Sequence, residues 1–156
     1  LETLSKHLLK TQDCIPAPAQ LNTKRRAVCP KCKDRRDETR ANISSNRLYH
    51  IISFACFLDQ EIWITYNNEM ISFTKSFPPN KESSPDGIIS LANSDCVIAL
   101  DIAEVFNNIS HESCFEGEAS TVVNCYNSHG ENLFNLIQQN TELYDMCSLD
   151  KNEGCH

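Results

Sequence analysis

The stretch NRLYHIISFACFLDQ, residues 46–60, has the clearest periodicity in the chain. Asn46 has a side chain suited to cap a helix, and Ser45 is an alternative cap. Apolar residues then recur at spacings of three and four, which places them on one face of a helix. These residues are Leu48, Ile51, Ile52, Ala55 and Leu58. We therefore predict a helix over 46–60.

The next residues, 61–77, fit two structures. The helical register continues up to Pro78-Pro79 through Ile62, Tyr66, Met70, Phe73 and Phe77. The composition of residues 62–66 favours a strand, however, and Asn67-Asn68 suits a tight turn. We favour the helix and keep a small β-hairpin near 61–74 as the alternative.

The rest of the chain also predicts helices. Apolar periodicity indicates them over 2–12, 95–109, 118–127 and 131–147. Residues 15–45 hold prolines and charges but few large apolar side chains, so we expect an irregular segment there. The predicted fold class is mostly α, a disulfide-rich helical protein in two halves. We expect one compact unit over 1–156, with lobes 1–77 and 88–156 joined by a Pro-rich linker, 78–87.

Nine cysteines in 156 residues indicate a compartment in which disulfides form. Two N-glycosylation sequons, at Asn42 and Asn108, agree with secretion. The chain opens with Leu1-Glu2-Thr3, and we interpret it as a mature form whose leader has been removed. We expect a secreted protein, with delivery into host cells as an extension of that hypothesis. The disulfide candidates are Cys14, Cys29, Cys32, Cys56, Cys96, Cys114, Cys125, Cys147 and Cys155.

Positive charge is concentrated in one segment. Residues 24–40 hold eight basic and three acidic residues, a net charge of +5, so the rest of the chain carries −12 against a total of −7. An acidic body repels nucleic acid, which is therefore not an expected partner. The segment is either a solvated loop or a surface that binds a partner. The candidate partner-binding residues are Lys24, Arg25, Arg26, Lys31, Lys33, Arg35 and Arg36.

Motifs of the common enzyme classes are missing from the sequence. There is no Gly-rich phosphate loop, no GxSxG and no HExxH, and the apolar runs are too short to span a membrane as a helix. Cys29-Pro30-Lys31-Cys32 could be half of a zinc site or a redox motif, but no second CxxC accompanies it, so structural disulfides are favoured. We expect neither metal nor cofactor.

Weaker candidates remain for acid–base chemistry and for ligand binding. The nearest acid–base pairs are His50 with Glu61 and His111 with Glu112. An apolar ligand pocket could be lined by Trp63, Tyr66, Phe73 and Phe77, although an ordinary core explains these aromatics equally well.

A faint repeat links the two halves. Cys32 is followed by Tyr49 and Cys56, and Cys125 is followed by Tyr144 and Cys147. This doubled Cys–Tyr–Cys arrangement resembles the bicycle proteins of gall-forming aphids, which are secreted salivary effectors. The resemblance implies a protein that acts on plant tissue, and it supplies no catalytic residue.

The predicted function is that of a secreted, cysteine-rich, effector-like protein that binds a host macromolecule and is not an enzyme. One alternative is a secreted carrier of a small apolar ligand, similar to odorant-binding proteins. The other is a small secreted hydrolase, similar to ribonucleases.

Overall fold

Strands dominate residues 30–149, the part of the chain that the computed structural model describes. The strands are β1 Ile62–Asn67, β2 Ser72–Phe77, β3 Lys81–Ser84, β4 Ile88–Ala92, β5 Val97–Asp101, β6 Asn107–Phe115, β7 Glu118–Tyr126 and β8 Asn132–Gln138. They form a five-stranded sheet in the order β2-β1-β8-β7-β6 and a three-stranded sheet in the order β3-β4-β5. Every pairing in the two sheets is antiparallel.

Helices flank the sheets at both ends of the described chain. They are α1 Pro30–Ala41, α2 Arg47–Phe57 and α3 Glu142–Leu149, with 3₁₀ turns at Ile43–Ser45 and Ile102–Glu104. Among the described residues, none of these helices is long and apolar enough to cross a membrane.

The helix predicted over 46–60 is confirmed as α2. The Asn46 side chain caps it, because its oxygen accepts a hydrogen bond from the Leu48 N–H at 2.8 Å. At the other end, Gln138 of β8 donates from Nε2 to the carbonyl oxygens of Ala55 at 2.8 Å and Gln60 at 3.0 Å. This fully buried side chain satisfies a carbonyl of the last helical turn, which ties α2 to the large sheet.

The main core lies between α2, α3, the small sheet and one face of the large sheet. We call this face the helix face. On it the register aligns Ile64 with Leu136 and Leu136 with Val123. Leu48 and Ile52 of α2 pack against the same core and are fully buried. The opposite face of the large sheet carries the alternate residues of each strand.

The mostly α fold class is wrong. Residues 61–77 form the hairpin β1–β2, not the favoured helix. The helix predicted over 95–109 is replaced by β5, a 3₁₀ turn and the start of β6. Its apolar residues are mainly Ile and Val, whose branched side chains suit strands, and a short apolar run does not separate the two structures.

Two further predicted helices are also strands. Most of residues 118–127 form β7, which lies between two other strands of the sheet. Every residue from Ser120 to Tyr126 is buried, so the sequence of β7 lacks the alternation of apolar and polar residues by which a half-exposed strand is recognised. Residues 131–147 divide into β8 and α3. The predicted irregular segment 15–45 is helical from Pro30 onward, and β3 lies within the predicted linker 78–87. The helix predicted over 2–12 lies outside the described residues.

The disulfide-rich architecture is wrong for the described chain. No disulfide joins any two of its six cysteines, Cys32, Cys56, Cys96, Cys114, Cys125 and Cys147. Cys125 and Cys147 are instead core residues, 0% and 2% exposed. A buried cysteine acts as a small apolar side chain, so a high cysteine count does not require disulfides. Cys14, Cys29 and Cys155 lie outside the described residues.

Candidate functional site

A cleft of about 120 Å³ opens between α1, the start of α2 and the segment that follows the second 3₁₀ turn. We call it the basic cleft. It is lined by Arg35, Glu38, Thr39, Ser45, Asn46, Arg47, Ala103, Val105 and Phe106. The lining combines charged and hydroxyl side chains with the buried apolar residues Val105 and Phe106.

Hydrogen bonds hold the walls of the basic cleft in place. The Asn46 Nδ2 donates to Thr39 Oγ1 at 3.1 Å and to the Ile102 carbonyl at 3.2 Å. The Arg47 guanidinium donates to the Asn108 side-chain oxygen and to the Cys147 carbonyl, the latter at 2.6 Å. Arg47 therefore joins α2 to β6 and α3 and also adds positive charge to the cleft.

Two neighbouring arginines of α1 hold that helix on the second 3₁₀ turn. Arg36 forms an ion pair with Glu104 at 3.1 Å, and its guanidinium carbon lies 5.3 Å from the centre of the Phe106 ring. Arg40 bonds both Asp101 and Glu104, at 3.2 Å and 3.0 Å. The hydrogen bond to Asp101 is the main cause that raises the pKa of Arg40.

Arg35 differs from these two arginines. Arg35 is one of the residues that line the basic cleft, and its Nη1 is buried without a hydrogen-bond partner in the described chain. The Nε of Arg36 is also buried without a hydrogen-bond partner in the described chain, but the Nη2 of Arg36 donates to Glu104. Buried polar nitrogens are paired in most proteins, so an unpaired one in a cleft marks a place where an acceptor fits.

A second polar feature crosses the other face of the large sheet, which we call the His111 face. Four side chains form a row from β6 through β7 and β8 to β1. His111 Nε2 lies 3.1 Å from Asn124 Oδ1, and Asn124 Nδ2 donates to Asn135 Oδ1 at 2.7 Å. Asn135 Nδ2 then donates to Thr65 Oγ1 at 3.2 Å. Thr65, Asn124 and Asn135 are all at least nine-tenths buried.

The row orients the ring of His111. Asn124 uses its N–H to bond Asn135, so it offers its oxygen to the imidazole, which matches an N–H at His111 Nε2. The other ring nitrogen, Nδ1, lies 3.4 Å from the Glu112 carbonyl, beyond the usual range of a hydrogen bond. In the described side-chain position, His111 Nδ1 faces the Glu112 carbonyl.

Apolar side chains lie beside the row on the same face. Val122 is the cross-strand partner of His111, and it packs with Phe115, Ile137 and Trp63. Ile109, two residues before His111 on β6, is 42% exposed. His111 is thus a half-buried imidazole between a buried apolar cluster and an exposed isoleucine.

The predicted acid–base pairs do not form. Adjacent residues of a strand point to opposite faces, so Glu112 faces away from His111, which approaches only its carbonyl. The ring of His50 bonds the Ser44 carbonyl, at 2.6 Å from Nε2.

The four aromatic residues predicted for a ligand pocket lie on both faces of the sheet. Trp63 is on the His111 face, while the alternate positions Tyr66, Phe73 and Phe77 are on the helix face.

The predicted partner-binding residues separate into three groups. Lys24, Arg25 and Arg26 lie outside the described residues. Lys31 and Lys33 are exposed on α1, whereas Arg35 and Arg36 are half-buried at the basic cleft and in an ion pair.

The two sequons also differ. Asn42 is exposed and caps the first 3₁₀ turn, and its glycosylation stays a prediction. Asn108 is 9% exposed and its side chain is bonded to Arg47, so it offers no accessible amide to a glycan.

Sequence reasoning missed the amides of the His111 row. Asn124 and Asn135 become neighbours only through the register of β7 and β8. No local motif marks them, and the single usable signal was the presence of polar residues within apolar strands.

No family model and no curated protein matches the sequence. Solved structures do share the fold. A crystal structure of ChuX matches with a TM-score of 0.51 and 10% identity over 66% of this chain and 69% of that one. A protein from Erwinia carotovora matches with a TM-score of 0.50 and 12% identity over 66% and 68%. A further structure, titled as that of the heme binding protein ChuX, has a TM-score of 0.46, 9% identity and coverage of 65% and 69%.

At these identities the likeness establishes a ChuX-like fold and no more. That fold overturns the predicted function of a helical, disulfide-bonded secreted effector, together with its alternatives of a helical odorant-binding-like carrier and a small hydrolase. The comparisons do not bear on the resemblance to bicycle proteins or on secretion, which stay predictions.

Proposed function

We propose that this protein binds heme on the His111 face of its large sheet, with His111 as an axial ligand of the iron. The observation that carries the proposal is the half-buried imidazole of His111, which Asn124 orients through a 3.1 Å contact to Nε2 and which lies beside the exposed side chain of Ile109. The fold supports it, since ChuX, a structural neighbour, is described as a heme binding protein.

The donor set of this face fits the requirement of heme. The porphyrin supplies four nitrogens, so the protein needs to supply one or two axial ligands, and histidine is the commonest. A single well-held imidazole is therefore sufficient, without the cluster of three ligands that a bare metal ion needs. Ile109 adds exposed apolar surface beside His111, which suits a flat apolar ring.

The row behind His111 gives the imidazole its orientation. A histidine that ligates a metal usually donates its other ring N–H to a hydrogen-bond acceptor, which fixes the ring and raises the basicity of the ligating nitrogen. Asn124 Oδ1 is that acceptor here. Asn135 Oδ1 in turn receives N–H groups from Asn124 and from Asn132, the latter at 2.9 Å.

The proposed activity is binding without turnover. In the described chain, the side-chain contacts of His111 supply no second titratable group that would pair with it as acid and base. Glu112 lies on the opposite face from His111, and the side chain that His111 does contact, Asn124, does not titrate. The proposal therefore assigns the site a role in holding or transferring heme.

The test is an absorption titration of the full chain with hemin. We expect a Soret band that shifts as the complex forms and saturates at one equivalent. His111→Gln should abolish the shift or weaken binding by at least about tenfold, because the iron loses its ligand. Asn124→Ala should weaken binding by about 10–100-fold while leaving a complex.

His50→Gln is the matched control, since His50 is an exposed imidazole on α2. This variant should bind hemin as the wild type does. Circular dichroism of each variant establishes that it has folded. A wild-type protein that fails to shift the Soret band, or a His111→Gln variant that binds like His50→Gln, would contradict the proposal.

A further inference from the structure

We propose that the basic cleft is a binding site for a small oxyanion, a phosphate or carboxylate group, with Arg35 as its main contact. The cleft is formed by α1, the start of α2 and Ala103–Phe106, none of which belongs to the His111 face. The inference is therefore independent of heme binding.

The first argument is the unused donor. Arg35 lines the cleft, and its buried Nη1 has no acceptor in the described chain. A guanidinium matches the two oxygens of a carboxylate or phosphate with parallel N–H groups, and such charge-assisted bonds are short and strong. Glu38 lines the same cleft but forms no ion pair with Arg35 within 4.0 Å among the described residues.

The second argument is the chemistry of the surrounding wall. Arg47 adds a second positive charge, although its two terminal nitrogens already donate to Asn108 and Cys147. Thr39 is 3% exposed, and its hydroxyl accepts from Asn46, so its proton is available to an acceptor. Two arginines against Glu38 leave the lining with a net charge of +1, which favours an anion.

The third argument is size. At about 120 Å³ the cleft is smaller than the roughly 300–1,000 Å³ of pockets that enclose drug-sized ligands. It therefore suits one oxyanion group and does not enclose a porphyrin.

The experiment is an NMR titration of the ¹⁵N-labelled full chain at constant ionic strength, with inorganic phosphate in one arm and acetate in the other. We expect saturable shifts at Arg35, Thr39 and Asn46. Saturation by phosphate alone identifies a phosphate site, and saturation by both identifies a general carboxylate and phosphate site. Either outcome supports an oxyanion site and defines its class.

Variants on α1 distinguish specific binding of the oxyanion in the cleft from general attraction of anions to positive charge. Arg35→Gln should weaken binding by at least about tenfold, since a charge-assisted hydrogen bond is lost. Glu38→Gln should strengthen binding, because it removes the negative charge of the cleft. Lys33→Gln, which removes an exposed positive charge from the same helix, should leave the affinity unchanged.

Equal losses in Arg35→Gln and Lys33→Gln would overturn the proposal, because they would show an adventitious ion only, attracted by net charge. Shifts that do not saturate at the cleft residues would overturn it as well. If Arg35→Gln does not fold, Arg35→Lys replaces it. The lysine keeps the charge but loses the paired donors, so it should bind with intermediate affinity.

Discussion

Alanine substitution at two glycines measures how tightly α1 is packed on the rest of the protein. Gly87 follows β3 with a φ of +83°, and Gly117 lies between β6 and β7 with a φ of +78°. Both positions are left-handed, so alanine is strained at each by about 1–2 kcal/mol. The lower entropy of the unfolded chain offsets about 0.4–1 kcal/mol of this loss. Gly117→Ala should therefore lower the free energy of unfolding by about 1 kcal/mol.

Alanine at Gly87 has an additional steric cost that alanine at Gly117 lacks. A Cβ at Gly87 would lie 3.1 Å from Thr39 Cγ2 and 3.3 Å from Ala103 Cβ, whereas a Cβ at Gly117 would meet nothing within 4 Å. Overpacking of this kind costs about 1–3 kcal/mol. Gly87→Ala should thus destabilise the protein by about 2–4 kcal/mol, and the excess over Gly117→Ala reports the contact with α1.

The assay is urea unfolding followed by the fluorescence of Trp63, the single tryptophan of the chain. A double variant sharpens it, because Thr39→Ser removes the methyl group that lies closest to the added Cβ. Gly87→Ala combined with Thr39→Ser should recover part of the excess loss. Equal losses for Gly87→Ala and Gly117→Ala, with no recovery in the double variant, would refute the packing of α1 against this turn.

Three further predictions concern the core. Gln138→Leu should lower the free energy of unfolding by about 2–4 kcal/mol in the same urea assay, because the buried carbonyl of Ala55 and the carbonyl of Gln60 lose their donor. Arg47→Met should cost about 2–3 kcal/mol, since it removes the hydrogen bonds to the Asn108 side chain and to the Cys147 carbonyl of α3. Burial raises the pKa of the Cys125 thiol above its ordinary value of 9.0, so its contribution to stability is complete below pH 9 and falls above it. Unfolding measured from pH 8 to pH 11 should show stability that is constant up to about pH 9 and then declines, and Cys125→Ala should make that decline shallower.

The sequence identified α2 because its signals are local. A capping side chain at Asn46 and a regular apolar face follow each other within fifteen residues. The strands lacked an equivalent signal. β7 is buried on both faces, so its apolar residues do not alternate, and the Ile- and Val-rich run around β5 fits either structure.

The candidate sites could be predicted only in part. Arg35 was selected because it belongs to a dense basic segment, but sequence does not distinguish it from Arg36, which the fold pairs with Glu104. The His111 row depends on the pairing of four strands that are far apart in the chain. Such long-range register is set by tertiary packing, and no local pattern in one sequence contains it.

The most direct test of the central claim is an NMR measurement that locates the hemin-binding site on the protein. Ferric heme broadens the NMR signals of nearby amides, while a diamagnetic gallium porphyrin of the same shape does not. We predict that hemin broadens the amides of residues 109–113 and 122–124, around His111, and spares those of α1, with no such broadening by the gallium compound. Broadening centred on another part of the chain, or none at one equivalent of hemin, would contradict heme binding on the His111 face.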